Sequence, residues 1–389
     1  MIRQSRSIAG DEVGVRAYST AIAAIRAFPR PLRSAADVTA LPGCDGKMAA
    51  LFEAWKASDG DDGGDDGDGD GGGDTSINNN DSGGDDGDDG SDARLARRTI
   101  PAVRELQRSP TFRALAALAG IWGVGPETAR TLYYRHGLRS RDQVAAQHWA
   151  RLSRVQQIGV KFYDELRAPI ARPEMERIAS RIAADAAALA PGTQCLLVGG
   201  YRRGQAACHD IDVLLSHPIE GALPADLLWK LLLRLEAGHL ITHTLLVSTP
   251  SQGDGRGGAS GGAPSGASGD SHWAERKGGL FDGLDKALVV WQTTPGQPHR
   301  RVDIVVAPTV AAGTALLGWT GGTTFQRDLR LYCEKERGWR FASDGVRCGV
   351  QRVAATAGWR QGETWADVER RVMEAIGVGW RPPEMRCTG

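Results

Sequence analysis

The sequence predicts an α+β fold, because it contains short apolar runs typical of strands and longer runs with apolar residues at helical spacing. Residues 210–215 alternate acidic and apolar side chains and then become fully apolar, and residues 301–306 form a second such run with a single acid. Residues 245–247 and 287–291 are two further predicted strands. Residues 323–337, in contrast, carry apolar side chains at helical spacing and predict a helix.

The chain has 389 residues, which is enough for two to four compact units with ample core. Its 41% hydrophobic and 24% charged residues are typical of globular proteins. No run of about 18 apolar residues occurs and the N-terminus lacks a signal-peptide pattern, so we expect no membrane association. The 6 cysteines have no C-x-x-C spacing. We therefore expect neither a zinc site nor a disulfide framework, and a reducing compartment.

The formal net charge of zero conceals an uneven distribution. Residues 58–92 contain 14 Asp and no Lys or Arg, so the rest of the chain carries 47 basic and 33 acidic residues, a net charge of +14. Such an excess suits a phosphate backbone, whose neutralisation releases counterions. We therefore expect a nucleic-acid partner, with a general contribution to solubility as the alternative explanation.

Two segments have compositions that do not build a core. Residues 58–92 are almost wholly Asp, Gly, Asn and Ser, and we expect a disordered polyanionic linker rather than a calcium-binding repeat, which needs regularly spaced apolar residues. Residues 248–279 are dominated by Gly, Ser and Ala and predict a flexible loop between two strands.

Three aspartates on the predicted strands suggest a divalent metal site. Asp210 and Asp212 lie on one face of their strand because side chains alternate, and Asp303 lies on the second strand. Three carboxylates packed together repel and take up protons unless a cation is present. Mg²⁺ prefers such oxygen ligands, and two ions can clamp both oxygens of a phosphoryl transfer. The alternative is that the acids are surface strand ends paired with Arg301 or Arg202.

A glycine pair followed by two arginines precedes the first aspartates. Gly199 and Gly200 follow an apolar strand and allow backbone amides to approach an anion closely. Arg202 and Arg203 offer planar donor groups suited to phosphate. Because this segment is one short connection away from the carboxylates, we interpret it as a triphosphate-binding segment rather than a solvated turn.

Taken together, these motifs resemble those of the family X DNA polymerases. The resemblance rests on residues 199–204 with 209–212, on 301–303 and on 317–321, and it covers about residues 20–385. It is greatest to the branch of polymerase mu and terminal deoxynucleotidyltransferase, through Gly200, His209 and the Gly318-Trp319 pair. Tyr201, Cys208 and residues 297–301 look closer to polymerase lambda, and Gln205 departs from the lysine that both carry.

The resemblance implies a helical 8-kDa-type domain, a helix-hairpin-helix fingers domain, a nucleotidyltransferase palm with a mixed β-sheet, and a small α+β thumb. The expected divisions are 1–57 for the first part of the 8-kDa-type domain, 58–92 for the disordered insert, 93–120 for the remainder of that domain, 121–190 for the fingers, 191–310 for the palm with the loop 248–279, and 311–389 for the thumb.

The resemblance also implies roles for site residues. Asp210 and Asp212 would hold two Mg²⁺ ions, with Mn²⁺ as an alternative ion, and Asp303 would ligate the catalytic ion beside the primer 3′-hydroxyl. The implied nucleotide-binding residues are Gly199, Gly200, Arg203, Cys208, His209, Gly318, Trp319, Gln326 and Ser343. Because a glycine at 318 leaves room beside the sugar, tolerance of ribonucleotides is a hypothesis.

Two segments resemble the hairpins with which the family grips DNA backbone. The implied DNA-binding residues are Gly43 and Gly46 of the first, Gly123, Val124, Gly125 and Thr128 of the second, and Arg327 and Arg330 of the predicted helix 323–337. In each hairpin a glycine turn precedes a helix N-terminus, whose amides bind phosphate. The first departs from the family pattern, since Asp45 stands where the second glycine belongs.

The first hairpin also allows a negative prediction. Alignment of residues 43–47 puts Leu51 where polymerases beta and lambda have the lysine that attacks an abasic sugar. Leucine cannot form the imine, so we expect no deoxyribose-phosphate lyase activity by that route, although Lys47 and Lys56 are nearby amines.

The sequence therefore predicts a metal-dependent DNA polymerase that extends a primer end or fills gapped DNA with deoxynucleotides, and as a hypothesis with ribonucleotides, in gap filling or non-homologous end joining. The alternatives are a template-independent terminal transferase and a non-catalytic DNA-binding scaffold. Location in the nucleus and end-joining partner proteins follow only from the family.

Overall fold

A computed structural model describes residues 1–58, 100–250, 283–360 and 362–386. Nearly all of the predicted linker 58–92 and most of the predicted loop 248–279 lie outside these residues. The predicted α+β class is confirmed: helices form the N-terminal part, and a mixed sheet with flanking helices follows. Among the described residues, no helix is both long and apolar enough to cross a membrane.

The N-terminal helices pack around one small apolar core. Tyr18, Ala21, Val38 and Met48 are buried in it. A side-chain cap begins three of the four helices, since Asp11, Ser34 and Asp45 accept hydrogen bonds from first-turn amides. The helices are α1 (Ile2–Ala9), α2 (Glu12–Ala27), α3 (Ala35–Thr39) and α4 (Gly46–Ala57).

A second helical group follows residue 100 and surrounds a separate core. Leu118, Ile121, Leu132 and Val144 are buried there. Its members are α5 (Pro101–Arg108), α6 (Pro110–Ala119), α7 (Pro126–Arg130) continued by a π-helical turn (Thr131–Arg135), α8 (Arg141–Gln147), α9 (Arg154–Lys161) and α10 (Tyr163–Arg167).

A five-stranded mixed sheet forms the centre of the molecule. Its order is β2-β4-β7-β6-β5, with β4 and β7 parallel and the other neighbours antiparallel. The strands are β2 (Gln194–Leu197), β4 (Ile211–Ser216), β5 (Ile241–Ser248), β6 (Asp285–Trp291) and β7 (Arg300–Val306), while β1 (Ile170–Ala171) pairs with β3 (Ala207–Cys208). The four predicted strands coincide with β4, β5, β6 and β7.

Both faces of the sheet are covered by helices. On one face α11 (Arg172–Leu189) and α13 (Leu227–Ala237) pack against Val213, Val302 and Ile304. On the other, α14 (Ala312–Thr320) packs against Leu214 and Val305. This alternation leaves Asp303 on the α14 face of β7, because side chains along a strand point to opposite faces.

The C-terminal part carries the predicted helix at the predicted position, α15 (Thr323–Arg337). It packs around Leu329, Phe341, Val372 and Met373 with a small antiparallel sheet and a last helix. These elements are β8 (Arg340–Ala342), β9 (Gly345–Cys348), β10 (Gln351–Arg352) and α16 (Trp365–Ile376).

Candidate functional site

The three predicted aspartates lie together. Asp212 of β4 is directly paired with Asp303 of β7 in the parallel register, and Asp210 immediately precedes β4. One carboxylate oxygen from each lies within 4.8 Å of the others. The central parallel pair of strands thus brings together side chains that are about ninety residues apart in the sequence.

The arginines near the three carboxylates do not fully offset the cost of ionising Asp212 and Asp303. Burial and the neighbouring Asp303 raise the pKa of Asp212 to about 7, although Arg203 opposes this. Burial likewise raises the pKa of Asp303, against the influence of Arg301. A partly buried carboxylate cluster in which Asp212 and Asp303 have raised pKa values fits a hard divalent cation, which such oxygens ligate.

Arg301 supplies one compensating charge from β7 itself. Its Nη2 forms an ion pair with Asp210 Oδ2, and its Nε donates to Asp303 Oδ1 at 3.3 Å. The guanidinium also lies over the ring of Trp122, 4.1 Å from its centroid. The ion pairing with Arg301, given above as the alternative to a metal site, is therefore present together with the clustering of the three acids.

The predicted phosphate-binding segment is a short helix, α12 (Gly199–Arg202), that follows β2. Gly199 has φ +56° and a Cβ there would collide with the Asp212 carboxylate, so only glycine fits. A Cβ at Gly200 would lie 2.5 Å from Gln205 Oε1 and 2.8 Å from Cys208 Sγ. The backbone of α12 consequently lies against the carboxylates with no side chain between them.

The two arginines of this segment separate. Arg203 Nη1 donates to the backbone oxygen of Thr320 at 2.7 Å, on α14. Arg202 instead forms a bidentate pair with buried Glu369 of α16, at 2.8 and 3.0 Å, and donates to the Thr320 hydroxyl at 2.7 Å. The interpretation of Arg202 as a phosphate ligand is therefore wrong, because its guanidinium joins the central sheet region to the C-terminal helices.

The predicted sugar and base contacts cluster on α14 and α15. A Cβ at Gly318 would lie 2.5 Å from Ser343 Oγ, so the space beside this glycine already contains a hydroxyl. Gln326 is 6% exposed and its Nε2 donates to Leu317 O at 2.6 Å. Within the described residues, Gln326 Oε1 and Trp319 Nε1 are buried without a hydrogen-bond partner. Unpaired buried polar atoms are costly, and water or a ligand can supply the missing hydrogen bonds.

The remaining predicted nucleotide contacts lie at the edge of β3. Cys208 is buried, at 4% exposure, and burial raises the pKa of its thiol. His209 follows it and is exposed, immediately before Asp210. Cys208 therefore lines the segment from beneath, whereas His209 is accessible beside the carboxylates.

The first hairpin differs from a phosphate-binding turn. The Asp45 carboxylate accepts from the amides of Lys47 and Met48 at 3.1 Å and so occupies the start of α4. Gly43, with φ +74°, lies against the methyl group of Thr20 on α2. An internal carboxylate therefore caps this turn, and DNA binding by Gly43 and Gly46 stays a prediction.

The second hairpin has no such cap. Gly123 has φ +84°, and Gly125 precedes α7 without a side-chain hydrogen bond to the first turn. Val124 is buried in the adjacent core, and Thr128 lies within α7. Of the two hairpins, this one has no side chain bound to the first-turn amides of its helix.

The predicted DNA contacts on α15 also have protein partners. Arg327 Nη2 donates to the hydroxyl of Thr20 at 2.9 Å and pairs with the adjacent Asp328. Arg330 is half-buried on the same helix. A strand reaching Arg327 must therefore compete with α2 for its guanidinium.

Sequence reasoning missed two residues of the site. Trp122 contacts Arg301, and Glu369 holds Arg202 together with Arg386, whose Nη1 lies 2.6 Å from it. Trp122 immediately precedes the hairpin glycines, which is a usable local signal. Glu369 carries none, because its partner Arg202 is 167 residues away.

Comparison with family models covers most of the chain. Residues 3–59 match a helix-hairpin-helix domain and residues 116–167 the fingers domain of DNA polymerase lambda. Residues 169–309 match the DNA polymerase beta palm and residues 315–387 the DNA polymerase beta thumb.

Individual proteins are similar at lower identity. The human DNA-directed DNA/RNA polymerase mu is 28% identical over 73% of this chain and 54% of its own length. The DNA polymerase type-X family protein pol4 of Schizosaccharomyces pombe is 27% identical over 100% of this chain and 63% of its own. The DNA nucleotidylexotransferase of Ambystoma mexicanum is 28% identical over 60% and 46%, respectively. The chain thus spans about half to under two thirds of the curated relatives it matches.

Proposed function

Because this chain belongs to the family X DNA polymerases, we propose that it adds nucleotides to a DNA 3′-hydroxyl with release of pyrophosphate, in gap filling or end-joining repair. The observation that carries the proposal is the direct pairing of Asp212 with Asp303, with Asp210 beside them. A non-catalytic DNA-binding scaffold would need no such buried cluster of acids, which is costly to fold.

Asp210, Asp212 and Asp303 would hold Mg²⁺, with Mn²⁺ as an alternative ion. A bound pair of such ions supplies Lewis-acid stabilisation of the attacking and leaving oxygens. The protein itself contributes the orientation: β4 and β7 fix two carboxylates, and Asp303 would face the primer hydroxyl. Arg203, held against Thr320, and the amides of Gly199 and Gly200 would bind the triphosphate of the incoming nucleotide.

The base and sugar of the nucleotide would lie against α14 and α15. Gln326 Oε1 and Trp319 Nε1 need partners, which supports a polar ligand there. The second hairpin, with uncapped amides at Gly125, would bind the DNA backbone. We further propose the division into 8-kDa-type, fingers, palm and thumb domains at the boundaries predicted above, a nuclear location, and end-joining proteins as partners.

Extension of a labelled primer with and without a complementary strand is the decisive experiment. Templated gap filling predicts extension that follows the template base. A terminal transferase, favoured by the similarity to the Ambystoma mexicanum enzyme, predicts tailing of a single strand. DNA binding without incorporation on either substrate would overturn the proposal in favour of a scaffold.

Discrimination against ribonucleotides is expected to be weak, no more than about 100-fold in kcat/KM. No side chain extends from Gly318 toward the nucleotide sugar. The group that a Cβ at this position would meet first is the Ser343 hydroxyl. Gly318→Ala should lower the use of both ATP and dATP about tenfold or more, because its Cβ forces Ser343 or α14 to move. Gly318→Ala combined with Ser343→Ala should recover most of that loss. Efficient use of dATP with strong rejection of ATP by the wild-type protein would contradict the expectation.

No deoxyribose-phosphate lyase activity is expected. Leu51 packs against the core of the N-terminal helices. Lys56 Nζ donates to Arg33 O at 2.9 Å, and Lys47 Nζ lies 5.9 Å from the Tyr18 ring centroid. Borohydride should therefore trap no wild-type chain on an abasic 5′ end, while Leu51→Lys restores the amine as a positive comparison. Trapping of the wild-type chain would refute the expectation.

A further inference from the structure

Arg301 occupies an unusual position between an aromatic ring and the carboxylate cluster. One side of its guanidinium lies over Trp122, and its nitrogens contact Asp210 and Asp303. Its side chain is only 15% exposed. Stacking and ion pairing thus hold a permanent positive charge at the edge of the three acids.

The backbone of Trp122, whose ring lies against Arg301, packs closely against α9. A Cβ at Gly159 would lie 2.9 Å from the backbone nitrogen and carbon of Trp122, so the two backbones are in close contact. Gln156 Nε2 donates to Gly123 O at 3.1 Å, and Gly123 packs against Val155. The backbone that carries the indole is therefore held against α9.

We propose that in the metal-free protein the Arg301 guanidinium occupies the place of a metal ion beside the three acids. Trp122 is the positioning residue that keeps the guanidinium there. The inference rests on the metal site of the proposed function. It adds that Arg301 and a divalent ion compete for the same acids. Arg301 uses carboxylate oxygens of Asp210 and Asp303, and a divalent ion requires oxygens from the same two residues. The guanidinium and a bound divalent ion therefore repel each other beside the same acids, so Arg301 held in this position should weaken metal binding.

Replacing either Arg301 or Trp122 should raise the affinity for the metal ion, but for different reasons. Removing Arg301 removes the competing charge itself. Truncating Trp122 changes no charge, and it removes the stacking that holds Arg301 over the acids. A change in metal affinity on truncating Trp122 therefore reports positioning, which a purely structural or DNA-binding role of this side chain would not produce.

The test measures Mn²⁺ binding to the free protein from the electron paramagnetic resonance signal of the unbound ion, without DNA or nucleotide. Trp122→Ala should lower the dissociation constant about threefold to tenfold, and Trp122→Phe should keep it close to the wild-type value. Arg301→Gln should lower it further. Trp149→Ala, which removes a 41% exposed indole from the same helical group, is the matched control and should change nothing.

Each outcome of these measurements either supports or overturns the inference. An unchanged or higher dissociation constant in Trp122→Ala overturns the inference. If that variant does not fold, Arg301→Lys replaces it, since lysine keeps the charge but lacks the planar face that stacks; binding no tighter than wild type would then overturn it. If the wild-type protein and Asp303→Asn bind Mn²⁺ equally, the metal site of the proposed function fails instead.

Discussion

Asp303→Asn is expected to reduce primer extension by about 1000-fold or more while leaving DNA affinity nearly unchanged. Asparagine has almost the same shape as aspartate but lacks the negative charge. Asp303 is 8% exposed and is paired with Asp212 across the parallel strands, so no solvated neighbour is placed to replace its charge. Single-turnover extension of a gapped duplex measures the loss, and equilibrium binding of the same DNA shows that the protein is otherwise intact.

The same substitution should make the metal-free protein more stable. Asp303 contributes to the raised pKa of Asp212, so removing its charge relieves repulsion between buried carboxylates. Thermal unfolding in a chelator measures this gain. Asp226→Asn, at a half-exposed aspartate paired with Lys230, is the control and should alter neither activity nor stability. Retained extension by Asp303→Asn would remove Asp303 from the catalytic set.

Glu369→Gln is expected to lower the free energy of unfolding by about 3 to 5 kcal/mol. Glu369 is fully buried and joins two arginines, Arg202 from α12 and Arg386 from the C-terminal segment. A neutral amide leaves both guanidinium groups without their counter-charge, and the penalty of an unpaired buried charge exceeds the worth of one hydrogen bond. Urea unfolding measures the change.

The control for this change lies on the same helix. Glu374→Gln replaces an exposed glutamate of α16 and should cost less than about 0.5 kcal/mol. If Glu369→Gln releases Arg202 from its ion pair, α14 should also shift, because Arg202 Nη1 donates to the Thr320 hydroxyl of that helix. Equal stability of the two glutamine variants would mean that Glu369 contributes no net stabilisation.

Acid should reduce the difference between Glu369→Gln and the wild-type protein. Burial alone would raise the pKa of Glu369, but hydrogen bonds from Arg386 and Arg202 hold it below its ordinary value of 4.5. The unfolded chain therefore binds a proton more readily than the folded one. The stabilisation by ionised Glu369 is present above about pH 4.5 and is lost as the pH falls below it, through the folded value.

The strands and the carboxylate cluster were predictable because their signals are local. Alternation along residues 210–215 and 301–306 fixed the strands, and β4 and β7 agree with them to within one residue at each end. Helix α15 likewise begins and ends at the predicted residues. The resemblance to family X, carried by the glycine and aspartate motifs, was confirmed by matches to the fingers, palm and thumb models.

The unpredictable features depend on distant partners. Arg202 and Arg203 are adjacent and chemically identical, yet only the packing of α16 against the central sheet region assigns one to Glu369 and leaves the other near Asp212. Asp45 illustrates a different limit. Its position in the motif was visible, but whether it repels a phosphate or replaces it as a helix cap required the geometry of α4.

The position of β5 and β6 in the sheet separates the length of their connection from the geometry of the acids. The connection between Ser248 and Asp285 joins two strands that lie on one side of β7, whereas the register that pairs Asp212 with Asp303 is set by β4 and β7. Lengthening that connection costs little free energy, since loop entropy grows only slowly with length. A change in the length of that connection is therefore expected to leave the pairing of Asp212 with Asp303 unchanged.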